Sequence, residues 1–321
     1  MYTKVLGTGS YVPQKVVTNA DLEKLVDTND EWIQSRTGIK ERRMSENENT
    51  SELAYQAALK ALEAAQVKPD EIDLLIVATV TSDKPFPGVS QILQRRLGFD
   101  TITAFDINAA CSGFIYALNI ADKMIRSGAY KKALIIGAEI LTKITDYTDR
   151  NTCVLFGDAA GAMVIGESEK PMIKDVLTYA KGDVEGFLTM DGYPLKKNFK
   201  TEQQDRPFLK MQGSDVFKFA TTVLPKVVRT LLERSNLDIK DLSYIVAHQA
   251  NKRIIDKASR TLKFPISKMY MNIEKYGNTS AASVPLAIDE AIRGNILKPG
   301  DIFITAAFGA GLTWGGALIE L

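Results

Sequence analysis

The sequence predicts an α/β protein built from two similar halves, and three observations carry that reading. Short β-rich apolar runs at 73–80 (DLLIVATV), 102–107, 132–139, 244–248 and 301–308 alternate with helical patterns, as buried strands do in layered α/β architecture. One spacing recurs: IVAT at 76–79 and IVAH at 245–248 are offset by 169. The same offset lays Ala133 to Gly137 on Ile302 to Ala306, Leu62 on Leu231, and Cys111 on Ser280. Finally, 321 residues suffice for two ordinary domains or two halves sharing one core. The halves expected are 1–168 and 169–321. In this arrangement Thr79 and His248 end equivalent strands, Cys111 and the Asn278 region open equivalent helices, and all can converge on a pocket between the halves.

Along the chain, DEWIQSRTG places Trp32 and Arg36 one helical turn apart. They read either as local packing or as a flat ring and a cation that stack on a nucleotide base. A helix is expected over 51–65, then the strand 73–80. KPFPG follows, with Phe86, and then the strand 102–107. CSGFIYALNIADKMIRSG repeats Phe114, Leu118, Ala121 and Ile125 at helical spacing, with Gly128 as its C-terminal stop. Cys111 thus stands at a helix start among Ala109, Ala110, Ser112 and Gly113, small residues that let a carbonyl approach. It is either a small buried hydrophobe or a nucleophile. The helix dipole, worth about 1–2 kcal/mol, would lower its pKa by roughly one unit from about 8.5. Cys153, in NTCVLFGD, enters an apolar run and reads as packing. GDAAGA at 157–162 reads as close packing rather than phosphate binding.

The second half brings a helix over about 216–234 and then YIVAHQAN, with His248 the only histidine in the chain. A lone His after a buried strand is either a satisfied core residue or a working imidazole. Arg253, Lys257 and Arg260 follow at i, i+4 and i+7, one basic stripe that either faces solvent or docks an acidic carrier. In GNTSAAS, Asn278 precedes a helical pattern. It caps that helix or donates to a developing oxyanion. FGAGLTWGG joins the strand 301–307 to a closing strand from Trp314. It is a turn and not a dinucleotide loop, because no helix follows.

Composition narrows the function. An apolar fraction of 45% with 25% charged residues is ordinary for a globular protein. A net charge of +1 argues against a nucleic-acid binder. No apolar run is long enough for a membrane span and no signal peptide is visible. Two cysteines favour a reducing, cytoplasmic setting, and with one histidine they make a metal site improbable.

With Cys111 in AACSGF, His248 in AHQAN and Asn278 in YGNTSAAS assembled, the chain resembles the thiolase-fold condensing enzymes. Within them it is most similar to the β-ketoacyl-acyl carrier protein synthase III family of type II fatty-acid synthesis. The likeness runs from TNADLEKLVDTNDEWIQSRTGIKERR through LFGDAAGAMV to FGAGLTWGGALI. It implies a homodimer of a five-layered α-β-α-β-α fold made of two duplicated halves. It implies Cys111 as the nucleophile that takes an acyl group from acyl-CoA. His248 and Asn278 would bind the thioester carbonyl of malonyl-acyl carrier protein as carbon dioxide leaves, and no cofactor is needed. By the same resemblance the backbone N–H groups of Cys111 and Ala310 form the oxyanion hole. Trp32 and Arg150, with Arg36 nearby, hold the CoA adenine, and Asn251 lines the pantetheine tunnel. Phe86 reaches into the partner's acyl pocket, and Lys218, Arg253 and Arg260 meet the acidic carrier. Two positions depart from the family: Ala310 where Gly is frequent, and Ser214 where Asn is frequent. The single His sets this pattern apart from condensing enzymes that use two histidines, and the Asn partner sets it apart from thiolases, which use a second cysteine. Primer preference falls to Phe86 and to the segment 190–210.

Overall fold

Five successive apolar residues, Leu74-Leu75-Ile76-Val77-Ala78, leave a strand no solvated face, so both its sides must be covered. The computed structural model, which describes residues 1–192 and 207–321, shows how. Strands β1 (Tyr2–Tyr11), β2 (Leu74–Ala78), β3 (Thr103–Ile107), β4 (Lys132–Glu139) and β5 (Ala159–Ser168) form one sheet in the order β1-β5-β4-β2-β3. Strands β6 (Ile173–Ala180), β7 (Tyr244–Ala247), β8 (Ile302–Gly309) and β9 (Thr313–Glu320) form the other in the order β7-β8-β9-β6. In each, a parallel pair, β2 on β4 or β7 on β8, runs on into antiparallel neighbours.

The main helices are α1 (Asp30–Thr37), α2 (Thr50–Ala65), α3 (Val89–Arg96), α4 (Gly113–Arg126), α5 (Gly213–Ser235), α6 (Lys252–Leu262) and α7 (Ser283–Arg293). Alternate residues of one strand face opposite layers. Leu75 and Val77 pack under α2 and α3 with Leu53 and Leu93. Leu74 and Ile76 join Phe114, Leu118 and Ile288 of α4 and α7 between the two sheets. Beyond the second sheet, Val228, Leu231 and Ile255 of α5 and α6 meet Ile245 and Ile304. The result is the expected α-β-α-β-α stack. Among the described residues no helix is long and apolar enough to cross a membrane.

The repeat is visible in the backbone, one residue away from the expected offset. Asp73 N–H donates to Lys132 O as Ser243 N–H does to Ile302 O. The helix ends Gln66 and Asn236 share φ 54°, and the residues Ala110 and Ser280 share φ 47°. Each of these pairs is 170 apart. Cys111 therefore corresponds to Ala281 and not to Ser280, and His248 to Ala78 and not to Thr79. Apolar strand residues are interchangeable enough to slip by one in a sequence comparison, whereas turn geometry is not.

Three strands, β1, β5 and β6, were not expected from the sequence. Glycines dilute the β signal in two of them, and close packing requires those glycines. A Cβ at Gly7 or Gly9 of β1 would run into the α2 backbone at Ala65 or Ala61, and one at Gly161 of β5 would lie 2.6 Å from Leu286 N. Gly161 belongs to GDAAGA, which is thus a packing motif, as its sequence suggests.

Candidate active site

The site is made where strand ends and two tight turns meet, the usual place for chemistry in α/β proteins. After β3 the chain passes through a 3₁₀ turn, Ala110–Ser112, and enters α4 at Gly113. Cys111 lies inside that turn and is buried. Gly309, the last residue of β8, packs directly on it: a Cβ there would lie 2.7 Å from Cys111 N and 3.2 Å from its Cα. Thr313 ties the two segments together. Its hydroxyl accepts from Ser112 Oγ at 2.7 Å and lies 3.0 Å from Ala109 O and 2.9 Å from Ala310 O. Ala310 sits in the turn so held, with φ outside the left-handed region. Gly309 lines the cavity described below, and Ala310 is not among its lining residues.

His248 follows β7, its backbone N–H donating to Ala306 O at 2.8 Å. The ring meets Phe308 edge-on, 5.2 Å between centroids at 68°. It is buried, and burial pushes its pKa down to about 3, so the imidazole is neutral. Its Nδ1 has no hydrogen-bond partner among the described residues. Asn278 belongs to the turn that mirrors the Cys111 turn. Its Oδ1 accepts from Ser280 N–H at 3.0 Å, as Asn108 Oδ1 does from Ala110 N–H at 3.2 Å. That bond assigns the amide orientation: the oxygen is engaged with the turn, which leaves the Nδ2 hydrogens to donate elsewhere. Asn278 does not cap α7, whose N-cap Ala282 has no side-chain bond.

The expected lowering of the Cys111 thiol is reversed. Burial pushes it up to about 11, against the pull of a Ser280 hydrogen bond, and the charge of Glu139 adds to the rise. Taking a thiolate out of water costs more here than the about 1–2 kcal/mol available from one helix end. Glu139 itself went unnoticed in the sequence. It closes β4, is fully buried, and accepts from Thr81 Oγ1 at 2.6 Å, Val80 N at 3.1 Å, Thr79 Oγ1 at 3.2 Å and Ser280 Oγ at 3.1 Å. Burial still raises it to about 7. The available signal was a carboxylate ending an otherwise apolar strand, KALIIGAE.

Cys111, His248 and Asn278 all line one cavity of about 490 Å³, which leads out past Phe156, Leu188 and Met211 to Trp32, Arg36 and Asn251. At the mouth, the partner of the Trp32 ring is Arg150, its guanidinium 4.7 Å from the ring centroid and bonded to Asp27 O at 2.7 Å. Asn251 spends its side chain on structure, capping α6 through Arg253 N–H and donating to Arg36 O at 3.1 Å. Ser214 lines the cavity too, with its hydroxyl on Asp215 at 3.0 Å. Arg253 lies at the same mouth over the Phe217 ring, and Lys257 and Arg260 continue the exposed face of α6. Lys218, on α5, is exposed and paired with Asp215 at 3.0 Å. Phe86 is 84% exposed. Cys153 is buried in a separate cluster with Leu22, Ile33 and Ile39. Of the segment 190–210, residues 193–206 lie outside the described ones.

Comparison with known proteins bears on the family and the fold. Residues 105–182 match the family model for 3-oxoacyl-[acyl-carrier-protein] synthase III, and residues 232–321 match the model for its C-terminal part. The chain is 48% identical over 321 residues to a β-ketoacyl-[acyl-carrier-protein] synthase III of Xanthomonas campestris pv. campestris, covering 100% of this chain and 98% of the relative. Its structure superposes on the 3-oxoacyl-[acyl-carrier-protein] synthase III of Aquifex aeolicus with a TM-score of 0.93 at 46% identity, covering 99% and 100% of the two chains. A priming β-ketosynthase of a polyketide biosynthetic pathway superposes with a TM-score of 0.92 at 37% identity, covering 100% and 96%.

Proposed function

The chain belongs to the β-ketoacyl-acyl carrier protein synthase III family of condensing acyltransferases, and from that premise we propose how its residues divide the reaction. The Cys111 thiol attacks the carbonyl of an acyl-CoA, the oxyanion forms against the N–H groups of Cys111 and Ala310, and CoA leaves as the free thiol. Malonyl-acyl carrier protein then enters the same tunnel and loses carbon dioxide. The electron pair released passes to the thioester oxygen, where His248 and Asn278 donate to it. The resulting enolate attacks the acyl-Cys111 carbonyl, giving β-ketoacyl-carrier and returning the sulfur. The observation that supports this is the convergence of those three side chains, distant in sequence, on one narrow cavity.

The electrostatics fit the roles. Because His248 is neutral, it offers an N–H and no charge, and a fixed neutral donor in a dry site stabilises a developing oxyanion by several kcal/mol relative to water. The Asn278 amide is oriented by Ser280 N–H and supplies the second donor. Trp32 with Arg150 stacks on the CoA adenine, Arg36 stands beside them, and Asn251 shapes the pantetheine passage. The α6 face with Arg253 and Arg260, and Lys218 beside it, docks the acidic carrier. β3 is an edge strand, and an edge strand favours pairing with a second copy. In that homodimer the exposed Phe86 enters the partner's acyl pocket. Two free cysteines suit work in the cytoplasm. The likeness to a polyketide priming synthase keeps a second pathway in view with the same chemistry and a different carrier.

The test is single-turnover incubation with radiolabelled acetyl-CoA. Label should appear on Cys111, vanish in Cys111→Ala, and chase into product when malonyl-carrier is added. Absence of label on the wild-type protein would sink the assignment and favour a non-catalytic acyl-binding role. A panel of acyl-CoAs and carriers in the same assay sets primer and pathway.

A further inference from the structure

The GDAAGA stretch does more than pack a strand on a helix, because its first glycine lies against the segment that carries Asn278. Residues 155–157 run beside Asn278 as a short parallel bridge. Asn278 N–H donates to Leu155 O at 2.8 Å, and Gly157 N–H donates to Asn278 O at 3.1 Å. Both backbone groups of Asn278 are thus engaged by this one segment. The approach is closer than a side chain permits from either direction. A Cβ on Gly157 would lie 2.4 Å from Tyr276 O, and one on Gly277 would lie 2.6 Å from Leu155 O.

Arg42 closes the arrangement from behind. Its own Cβ would lie 3.0 Å from a Cβ on Gly157 and 3.5 Å from one on Gly277. The residue is 2% exposed and, among the described residues, forms no ion pair. Its guanidinium spans two segments instead. It donates to Val154 O at 2.7 Å on one side, and to Asn19 Oδ1 at 2.9 Å and Val17 O at 3.3 Å on the other. Burying a cation without an anion is costly, and this one holds the chain just ahead of the bridge.

We infer that Gly157 and Arg42 are positioning residues for Asn278, that they fix where its amide meets the thioester oxygen, and that they serve condensation rather than acyl transfer. The inference rests on the donor role assigned to Asn278 above. Relieving a carbon–oxygen approach of 2.4 Å takes a movement of about 1 Å. The geometry also decides which side moves. Asp158, next to Gly157, is buried, and its carboxylate accepts from Ser45 N–H at 2.8 Å, Thr142 N–H at 3.0 Å and Thr142 Oγ1 at 2.7 Å. Its N–H donates to Arg43 O at 2.9 Å, and β5 begins at the following residue. Residues 276–278 therefore give way, and Asn278 goes with them. Gly157 lies outside the left-handed region, so alanine there adds a contact without backbone strain of its own. The Cys111 turn is tied separately, through Thr313.

The test is a double-variant cycle on the isolated half-reactions. Cys111 is loaded with radiolabelled acetyl from acetyl-CoA, which gives the acylation rate. Malonyl-carrier added to the loaded enzyme then gives the condensation rate. Gly157→Ala should condense about 100-fold more slowly than wild type, as a misplacement of about 1 Å implies, while acylation at saturating acetyl-CoA stays within about threefold. Combined with Asn278→Ala, it should condense within about twofold of Asn278→Ala alone, because no amide is left to place. Losses that multiply in the double variant overturn the inference and leave Gly157 a general packing residue. So does a slowing of acylation as large as that of condensation. If Asn278→Ala by itself condenses at the wild-type rate, the donor role falls and takes this positioning role with it, so the single variant tells the two failures apart. Arg42→Lys keeps the stem against both glycines but replaces the fork with one ammonium, and should show the same pattern with a loss of about tenfold. It takes the place of Gly157→Ala in the cycle if that variant does not fold.

Discussion

Adding one methyl group to Gly309 should disable the nucleophile while leaving every proposed catalytic side chain in place. Gly309 ends β8 and lies outside the left-handed region, so an alanine there meets no backbone penalty of its own. The obstacle is steric. The new Cβ would lie 2.7 Å from Cys111 N and 3.2 Å from both Cys111 Cα and Cβ. Restoring ordinary contact requires a shift of about 0.7 Å between the β8 end and the 3₁₀ turn. Neither is free to give. Thr313 links the turn to the β8–β9 loop on one side, and β8 is paired to β7 and β9 on the other. Overpacking of this kind costs about 1–3 kcal/mol of stability. A misplacement approaching 1 Å at a reacting atom costs about 100-fold in rate. The assay is single-turnover acetylation of Cys111 from acetyl-CoA, paired with thermal unfolding. The control has to be overpacked away from the site, since Gly311→Ala would crowd Thr313 itself. In Gly7→Ala the new Cβ would lie 2.3 Å from Ala65 N on the outer helix α2. This control should lose stability without touching the Cys111 turn or Thr313, and its acetylation should fall far less. Wild-type acetylation in Gly309→Ala, or equal losses in the two variants, would refute the argument that close approach at this position sets the nucleophile.

Three further outcomes follow from the same geometry. Asn278→Ala removes an amide donor that acylation does not need, so labelling from acetyl-CoA should persist while condensation with malonyl-carrier slows about 100- to 1,000-fold; equal loss in both half-reactions would refute the division. Arg253→Glu reverses a charge at the cavity mouth and should raise KM for the carrier about tenfold at low salt, less at high salt, and far more than KM for acyl-CoA; an unchanged carrier KM removes the docking role. His248 should make the wild type acid-sensitive. Its ordinary value near 6.5 in the unfolded chain falls to about 3 in the fold, so below about pH 6.5 the unfolded state binds a proton that the folded state does not. Stability is then complete above that point and lost as pH falls, by about 1.4 kcal/mol per unit. Urea melts at about pH 7.5 and about pH 5 should cost the wild type about 2 kcal/mol more than His248→Gln. Glu139 and Asp158, raised by burial, act with the opposite sign and cancel in that difference, so equal acid losses in the two proteins would show that the imidazole is not buried neutral.

Legibility in the sequence followed the physics of each element. Strands covered on both faces, such as Leu74–Ala78 and Tyr244–Ala247, announce themselves by unbroken apolar runs. β1 and β5 do not, because they carry the glycines that let α2 and α7 lie against their backbones. The repeat was readable only to within one residue, since Ile, Val and Leu along a buried strand carry no register of their own. Cys111, His248 and Asn278 were visible because each is an unusual residue in a short patterned stretch. Their environment was not. Desolvation of the thiol depends on Gly309 and Ser280, residues some 170 to 200 positions away in the chain. The Glu139 carboxylate means little until Thr79, Thr81 and Ser280 are folded around it.

A duplicated fold has to break its own symmetry to make a one-way reaction, and the paired positions show how this chain does so. The 3₁₀ turns at Ala110–Ser112 and Ser280–Ala282 share an Asn-to-backbone bond and the same left-handed residue, so the backbone alone would present two equivalent half-sites. Cys111 has Ala281 as its counterpart, which leaves one nucleophile. His248 has Ala78, which leaves one imidazole. Glu139 has Gly309, and this pairing matters most for electrostatics. Where the first half ends its strand in a carboxylate that reaches toward Ser280, the second ends in a residue with no side chain, which lets the Cys111 turn close down on the strand. Burial of the thiol and burial of the acid beside it are thus two results of one departure from symmetry. Restoring a side chain at position 309 would push the Cys111 turn away from the strand and open the thiol to its surroundings.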